Sequence, residues 1–236
     1  MRKILLSTFV VLMSIIMVNA QTFEKRNCPA QEILEEQNKN PKVYQRRSAI
    51  ELRTQKFIKE GSRFAHRSGT LTIPVIVHVI YSNAQENISD AQIQSQIDVL
   101  TADFRRLNSD AGSVPAEFAS VAVDSDIEFT LAQITRTSSS RTSWGTNDAM
   151  KSAAQGGVAP INPSENMNVW VCNIGGGILG YAQFPGGSAS TDGIVISPQY
   201  FGSRELQPAG ENFFLSAPFD KGRTGTHEVG HYLNLR

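Results

Sequence analysis

The chain has 236 residues, with 22 Lys and Arg against 22 Asp and Glu and an isoelectric point near 6.9. A balanced charge without a sustained basic stripe leaves no electrostatic footprint for phosphate, which excludes nucleic acid as an expected partner. With 40% hydrophobic and 19% charged residues, the composition is that of a folded globular protein, long enough for one full-sized core plus a small segment.

Residues 1–20 read as a secretory signal: Arg2 and Lys3, an apolar run over residues 4–18, then Val18, Asn19 and Ala20 as a small-residue cleavage site. The mature chain is expected to begin at Gln21 and to be secreted. The apolar run is short for a spanning helix and no second one follows, so no membrane association of the mature form is expected. Two cysteines, Cys28 and Cys172, are too few for a disulfide framework. They pair with each other, or Cys172 pairs with a cysteine outside this chain and leaves Cys28 for another purpose.

Residues 21–68 are rich in Lys, Arg, Glu and Gln, with scattered apolar positions such as Ile33, Leu34, Ile50, Phe57 and Ile58. Such a charged, helix-prone leader between a signal and a well-patterned domain reads as a pro-segment. Lys59, Arg63 and Arg67 offer places for a trypsin-like cut near Gly61 or Gly69; the alternative is an ordinary solvated N-terminal helix. His66 is expected to be exposed.

The domain proper is expected over residues 69–236. Residues 70–81 form a β-branched run that predicts the first core strand, with Pro74 near its start and His78 as a core histidine. Residues 89–107 predict a helix with Ser89 and Gln92 as a capping box, Ile88 and Ile93 as a staple, and an apolar stripe of Ile93, Ile97, Leu100, Phe104 and Leu107. Asn87-Ile88-Ser89 matches a glycosylation sequon, a weak pattern by itself. Residues 126–133 alternate as a second strand, and the polar stretch 135–146 is expected to run over the surface.

Residues 167–174 predict a further strand leading into a glycine-dense segment over 175–187. That segment lacks the Lys-Ser or Lys-Thr ending of a phosphate-binding loop, and its apolar flanks suit an exposed sheet edge that a peptide backbone approaches closely. Residues 192–197 give one more strand, after which a loop through Phe201, Pro208, Phe213 and Pro218 reaches the last helix. Strand, helix, three strands and a helix make a mixed α/β layout without internal repeats.

That last helix carries His227, Glu228 and His231, the H-E-x-x-H arrangement of zinc peptidases. Histidines four apart on a helix aim their imidazoles at one point, which suits one metal ion. Glu228 projects beside them, where a carboxylate takes a proton from water instead of ligating the metal. Val229, Tyr232 and Leu233 supply an apolar side, and Thr224 or Thr226 is the expected N-cap. In the elongated form of this motif a glycine ends the helix in a left-handed turn. Asn234 stands there, the residue that tolerates that conformation best after glycine.

Taken together, IPVIVHVIY, ISDAQIQSQID, VWVCNIGGGILGYAQFPGG, DGIVI and HEVGHYLNLR resemble, over residues 73–236, the pappalysin-like metzincins. These are secreted zinc endopeptidases related to pregnancy-associated plasma protein A and ulilysin. The resemblance implies an α/β (α+β) metzincin-like fold: a mixed, mostly parallel twisted sheet with an antiparallel edge strand, a backing helix and an active-site helix. It implies zinc held by His227 and His231, with Glu228 as general base for a zinc-activated water, and protein or peptide substrates paired against Leu179, Gly180, Tyr181 and Ala182.

Structural calcium is a feature of the family, without ligands assignable in this sequence. Cys28 matches the family's early pro-segment cysteine and is a latency candidate as a thiolate on the zinc, against the plain disulfide with Cys172. Three departures stand out. The third histidine and the methionine turn with its following loop would lie after Arg236, the usual glycine is Asn234, and the connection between Leu131 and Thr135 is shorter than the family's hairpin there. An inactive fragment of a zymogen is therefore expected, the alternative being a non-catalytic secreted peptide-binding or structural module on the same fold.

Overall fold

The computed structural model describes residues 28–60 and 69–236. The signal, the cleavage site, His66 and the cut positions Arg63 and Arg67 lie outside those residues. In chain order the elements are α1 (Ala30–Asn38), α2 (Pro41–Glu60), β1 (Leu71–Tyr81), α3 (Asp90–Phe104), β2 (Ile127–Ser138), β3 (Met167–Val171), β4 (Gly180–Ala182), β5 (Ile194–Ile196) and α4 (Arg223–Tyr232). The sheet order is β2-β1-β3-β5-β4, parallel throughout except for β4, which runs antiparallel to β5 at the edge.

A continuous apolar strand suits the middle of a sheet covered on both faces, and β1 is buried over six successive residues. The period of two then sorts its side chains. Val75, Val77 and Val79 face the core formed with Ile93, Ile97 and Leu100 of α3 and Val229 of α4. Ile80 faces the opposite core, with Trp170, Tyr181 and Trp144. His78 belongs to that second face as a satisfied core histidine: Nδ1 lies 2.8 Å from Thr135 Oγ1, Nε2 lies 2.9 Å from Asn168 Oδ1, and the ring stacks on Trp170. Burial pushes its pKa down.

Four local expectations are corrected. The second strand does not stop at residue 133 but runs to Ser138, so residues 135–138 pair with His78, Val79, Ile80 and Tyr81 instead of crossing the surface. Only one side of an edge strand is paired, and Thr135, Arg136 and Thr137 fit a half-solvated pleat despite their polarity. In place of the expected short connection there is a bulge: Val75 partners Leu131 and Ile76 partners Gln133, so Ala132 is the extra residue.

The second correction concerns α3. Ser89 Oγ accepts from Gln92 N, but the Gln92 side chain does not return to the cap. It is buried and bonds Pro198 O, Phe201 O, Phe214 O and Phe214 N, while Gln96 bonds Gly202 N and Gly222 O, and Ser95 accepts from Ser203 N. These three polar side chains pin the long loop that delivers the chain to α4. Third, Leu107 leaves the apolar stripe: the helix ends in a left-handed turn at Arg106 (φ 53°), closed by Leu107 N on Ala102 O, and Leu107 is 72% exposed.

Fourth, α4 is not capped by Thr224 or Thr226. Gly222 (φ 74°) is the N-cap, Thr224 is buried, and the Thr226 hydroxyl donates to Asp103 Oδ2 of α3. A Cβ on Gly222 would sit 2.9 Å from Val99, and one on Gly225 2.4 Å from Gln96. The two helices therefore approach more closely than any side chain there would permit, with Arg223 paired to Asp103 across them.

The edge strand is not exposed. Residues 179–184 are buried, Ala30 and Leu34 of α1 cluster with Phe184, and Ile33 packs against the core that contains Tyr181. The N-terminal helices supply this cover. No helix among the described residues is long and apolar enough to cross a membrane.

Candidate metal centre

The one-turn spacing on α4 brings His227 Nε2 and His231 Nε2 to 3.1 Å, with the ring planes at 81°. Cys28, which precedes α1, places Sγ 3.6 Å from His231 Nε2 although the two residues are 203 positions apart. Ligand atoms of Cys28, His227, Glu228 and His231 all lie within 4.8 Å of one another. Tetrahedral zinc with N at about 2.0–2.1 Å and S at about 2.3 Å requires separations of roughly 3.3 Å for N···N and roughly 3.6 Å for N···S. The donor set and its spacing fit such an ion.

The end of α4 orients one of these donors. Asn234 takes the left-handed conformation (φ 77°), with Asn234 N bonded to His231 O and Leu235 N to Gly230 O, the two bonds that close a helix when a left-handed residue follows its C-cap. That turn presents Leu235 O at 2.8 Å from His231 Nδ1. A proton held on Nδ1 leaves Nε2 of the neutral ring with its lone pair directed at the cluster. The Phe184 ring packs against His231, 5.2 Å between centroids.

Glu228 is fully buried against β4. A Cβ on Gly180 would lie 3.0 Å from Glu228 Cγ, 3.3 Å from Oε1 and 2.9 Å from Val195 O, so the strand can pass the carboxylate only with glycine there. Of the four edge-strand residues named from the sequence, Gly180 adjoins Glu228. Ala182 packs into the core on the helix side, and Tyr181 turns to the opposite core. Burial and the neighbouring Asp148, which accepts from Tyr181 Oη at 3.0 Å, push the Tyr181 phenol pKa up.

Behind the strand lies a polar network that the sequence did not reveal. Lys151 is buried, bonded to Thr191 O and paired with Asp148, and burial pushes its pKa down. Asp192 accepts from Tyr232 Oη at 3.0 Å and from Gln183 Nε2 at 3.2 Å, so it ties the residue after His231 to the residue before Phe184. Burial pushes the Asp192 pKa up, with both hydrogen bonds opposing. Asp192 stands two residues before β5, and no spacing rule links it to Tyr232; only the fold does.

The disulfide alternative is not formed. Cys28 and Cys172 are not bonded to each other, and Cys172 is buried in the opposite core with its thiol pKa pushed up by desolvation. Cys28 lies instead with the histidines. Its segment is fastened by α2: Arg46 donates to Gly186 O and Gly187 O, and Arg47 to Pro185 O, Leu34 O, Asn38 Oδ1 and Gln37 Oε1.

No family model matches the chain. By sequence it is similar to extracellular metalloprotease 1 of Coccidioides posadasii, 30% identical over 183 residues, covering 75% of this chain and 56% of the relative. An extracellular metalloprotease of Arthroderma otae is 29% identical over 167 residues, covering 70% and 52%. The chain thus spans about half the length of the curated relatives it matches. By structure it superposes on a mutant of Tannerella forsythia promirolysin with TM-score 0.75 and 41% identity, covering 89% of this chain and 69% of that one. The chain belongs to the pappalysin-like metzincin metalloproteases. Mature Tannerella forsythia mirolysin in complex with a cleaved peptide aligns with TM-score 0.66 and 45% identity, covering 72% and 65%. The mostly parallel sheet with its antiparallel edge strand is the fold of this family.

Proposed function

We propose that the protein is a secreted zinc endopeptidase made as a zymogen, in which residues 21–68 form a leader that keeps the site latent. The observation that carries this reading is the return of Cys28 Sγ to the histidine pair of α4, at the separation a shared tetrahedral ion requires. Support for the leader also comes from coverage: the pro form of mirolysin matches 89% of the chain, the mature form 72%. The signal-like residues 1–20 and the extracellular relatives support secretion. Zinc is the cofactor that nitrogen and sulfur donors at this spacing favour. The group of three or more His, Cys, Asp or Glu donors found among the described residues joins Cys28 to His227, Glu228 and His231 of α4, and no ligands are assigned to calcium.

His227 and His231 hold the ion, with His231 fixed through Leu235 O. Zinc, when bound, supplies the Lewis acidity that polarises a peptide carbonyl and makes water a nucleophile near neutral pH. Glu228 takes the proton of the attacking water and returns it to the departing amine, a role suited to a carboxylate held in a buried site beside Gly180. The backbone of β4 pairs with an extended substrate once the leader has left. Cys28 blocks the reaction by occupying the position that water and substrate need. Activity is assigned to the protein at the length of its relatives. Catalytic zinc keeps three protein ligands, and with Cys28 gone His227 and His231 supply two.

The test is hydrolysis of a fluorogenic peptide by that longer protein after leader removal, with wild type and Glu228→Gln compared at equal zinc content. Loss of about 10²–10⁴-fold in kcat with peptide affinity retained is expected. Equal rates in the two proteins would refute the role of Glu228, and chelator-insensitive hydrolysis would refute the metal.

A further inference from the structure

Immediately after the edge strand the chain presents three successive backbone carbonyls to the leader. Arg46 Nε donates to Gly186 O at 2.8 Å and Arg46 Nη2 to Gly187 O at 3.3 Å, while Arg47 Nε donates to Pro185 O at 3.2 Å. Two guanidinium groups thus read one row of neutral acceptors.

The shape of that row is set by the body of the protein. Gly186 has φ 90°, a conformation that residues other than glycine rarely adopt. Beneath it, a Cβ on Gly187 would collide with the Gln183 side chain at 2.4 Å. Gln183 is itself locked, donating to Ser188 O and Asp192 Oδ1 and accepting from the Thr191 hydroxyl at 2.6 Å. None of these bonds involves the leader, so the row persists when the leader departs. What the leader does contribute is close approach, since a Cβ on Gly186 would be 3.0 Å from Arg47 Cγ.

The row also lies beside the metal centre. Phe184, whose ring contacts His231, precedes Pro185 directly. Gly187 is three residues further on, a reach of at most ~11 Å. An extended peptide advances ~3.3 Å per residue, so one lying along the edge strand brings a side chain two to four positions from its scissile bond to this place.

We infer that the carbonyls of Pro185, Gly186 and Gly187 form a substrate subsite for a basic side chain, which Arg46 and Arg47 of the leader fill in the latent form. This rests on the reading of residues 21–68 as a removable leader over a peptidase cleft. A carbonyl row accepts only donors. Guanidinium offers five in a fixed fork and ammonium three, whereas a carboxylate offers none. The leader therefore imitates part of a bound substrate at a point separate from the metal.

The experiment walks one arginine through positions two to four on either side of the scissile bond of an otherwise neutral peptide, each paired with its citrulline counterpart, which keeps the shape and loses the charge. The protein is the longer, leader-free form. At one position arginine should exceed citrulline by about tenfold in kcat/KM, the scale of a charge-assisted hydrogen bond at a partly exposed site. In parallel, the same peptides are titrated into Glu228→Gln protein labelled with ¹³C at backbone carbonyls. The arginine peptide, and not the citrulline one, should shift Pro185, Gly186 and Gly187. Hydrolysis with a flat arginine profile, or binding that leaves those three carbonyls unshifted, overturns the subsite while the peptidase reading stands. If no peptide is hydrolysed with zinc bound, it is the peptidase reading that fails, and the carbonyl shifts still decide the subsite.

Discussion

Replacing Arg47 should release the proposed leader without unfolding the body. Arg47 is 8% exposed and bonds both ways, to Leu34 O, Asn38 and Gln37 within the leader and to Pro185 O on the body. Only the last of these ties the two parts together directly. Arg47→Ala removes that charge-assisted bond and the packing of its stem on Gly186, but leaves Pro185 O partly accessible to water. The cost falls near the low end for such bonds, about 2 kcal/mol, which raises the population of undocked leader by a factor of ~30. The assay is the rate of Cys28 labelling by a thiol reagent in zinc-free protein, with Cys172 as internal control because it is buried in the other core. Cys28 should react ~30-fold faster in the variant while Cys172 stays unreactive. Cys28 labelling at the wild-type rate would refute the clamp, and equal acceleration of both thiols would mean that the whole chain, not the leader, has been loosened.

Two further perturbations follow from the geometry. Asn234→Gly should leave the melting temperature unchanged or raise it, whereas Asn234→Ala places an ordinary side chain at φ 77°, costs about 1 kcal/mol and lowers it by about 2–4 °C in a calorimetric scan. An alanine variant as stable as the glycine one would show that the turn is not held in that conformation. The Cys172 thiol is pushed up by burial, so in the folded state it stays protonated where an unfolded chain ionises, from about pH 8.5. Its stabilising contribution is complete below that pH and is lost as pH rises toward the folded-state value. Relative to Cys172→Ala, the wild type should lose about 1.4 kcal/mol of unfolding free energy per pH unit above pH ~9 in urea titrations. Parallel pH profiles for the two proteins would contradict this.

The strands buried on both faces were legible because their apolar runs leave little choice of environment, and His78 read correctly as a core residue for the same reason. Where local and distant partners compete, the sequence favoured the local one. Gln92 stands three residues after Ser89 and so suggested a capping box, yet its amide is consumed by carbonyls of a loop more than a hundred residues away. Thr226 looked like a cap and serves Asp103 instead. The far half of β2 was missed because polar residues on an edge strand carry no core periodicity.

At the candidate site, the convergence of His227, Glu228 and His231 was legible from spacing alone, since one helical turn sets their geometry. Cys28 could not be placed that way. Its partner is 203 residues distant, and a sequence with two cysteines fits a disulfide equally well. The cover over β4 was invisible for a related reason, because the alternation that marks an edge strand says nothing about which other segment lies on it. The Gln92, Ser95 and Gln96 triad did offer a signal, three polar residues at i, i+3 and i+4 on a helix whose neighbours are apolar.

The most direct test of the proposed latent metal centre is X-ray absorption at the zinc edge, on the zinc-loaded chain with residues 21–68 attached. Two histidine nitrogens at about 2.0–2.1 Å and one sulfur at about 2.3 Å are expected around the ion, with the sulfur contribution gone in Cys28→Ser. A wild-type spectrum without sulfur, or one that the substitution leaves unchanged, would contradict the assignment of Cys28 to the metal.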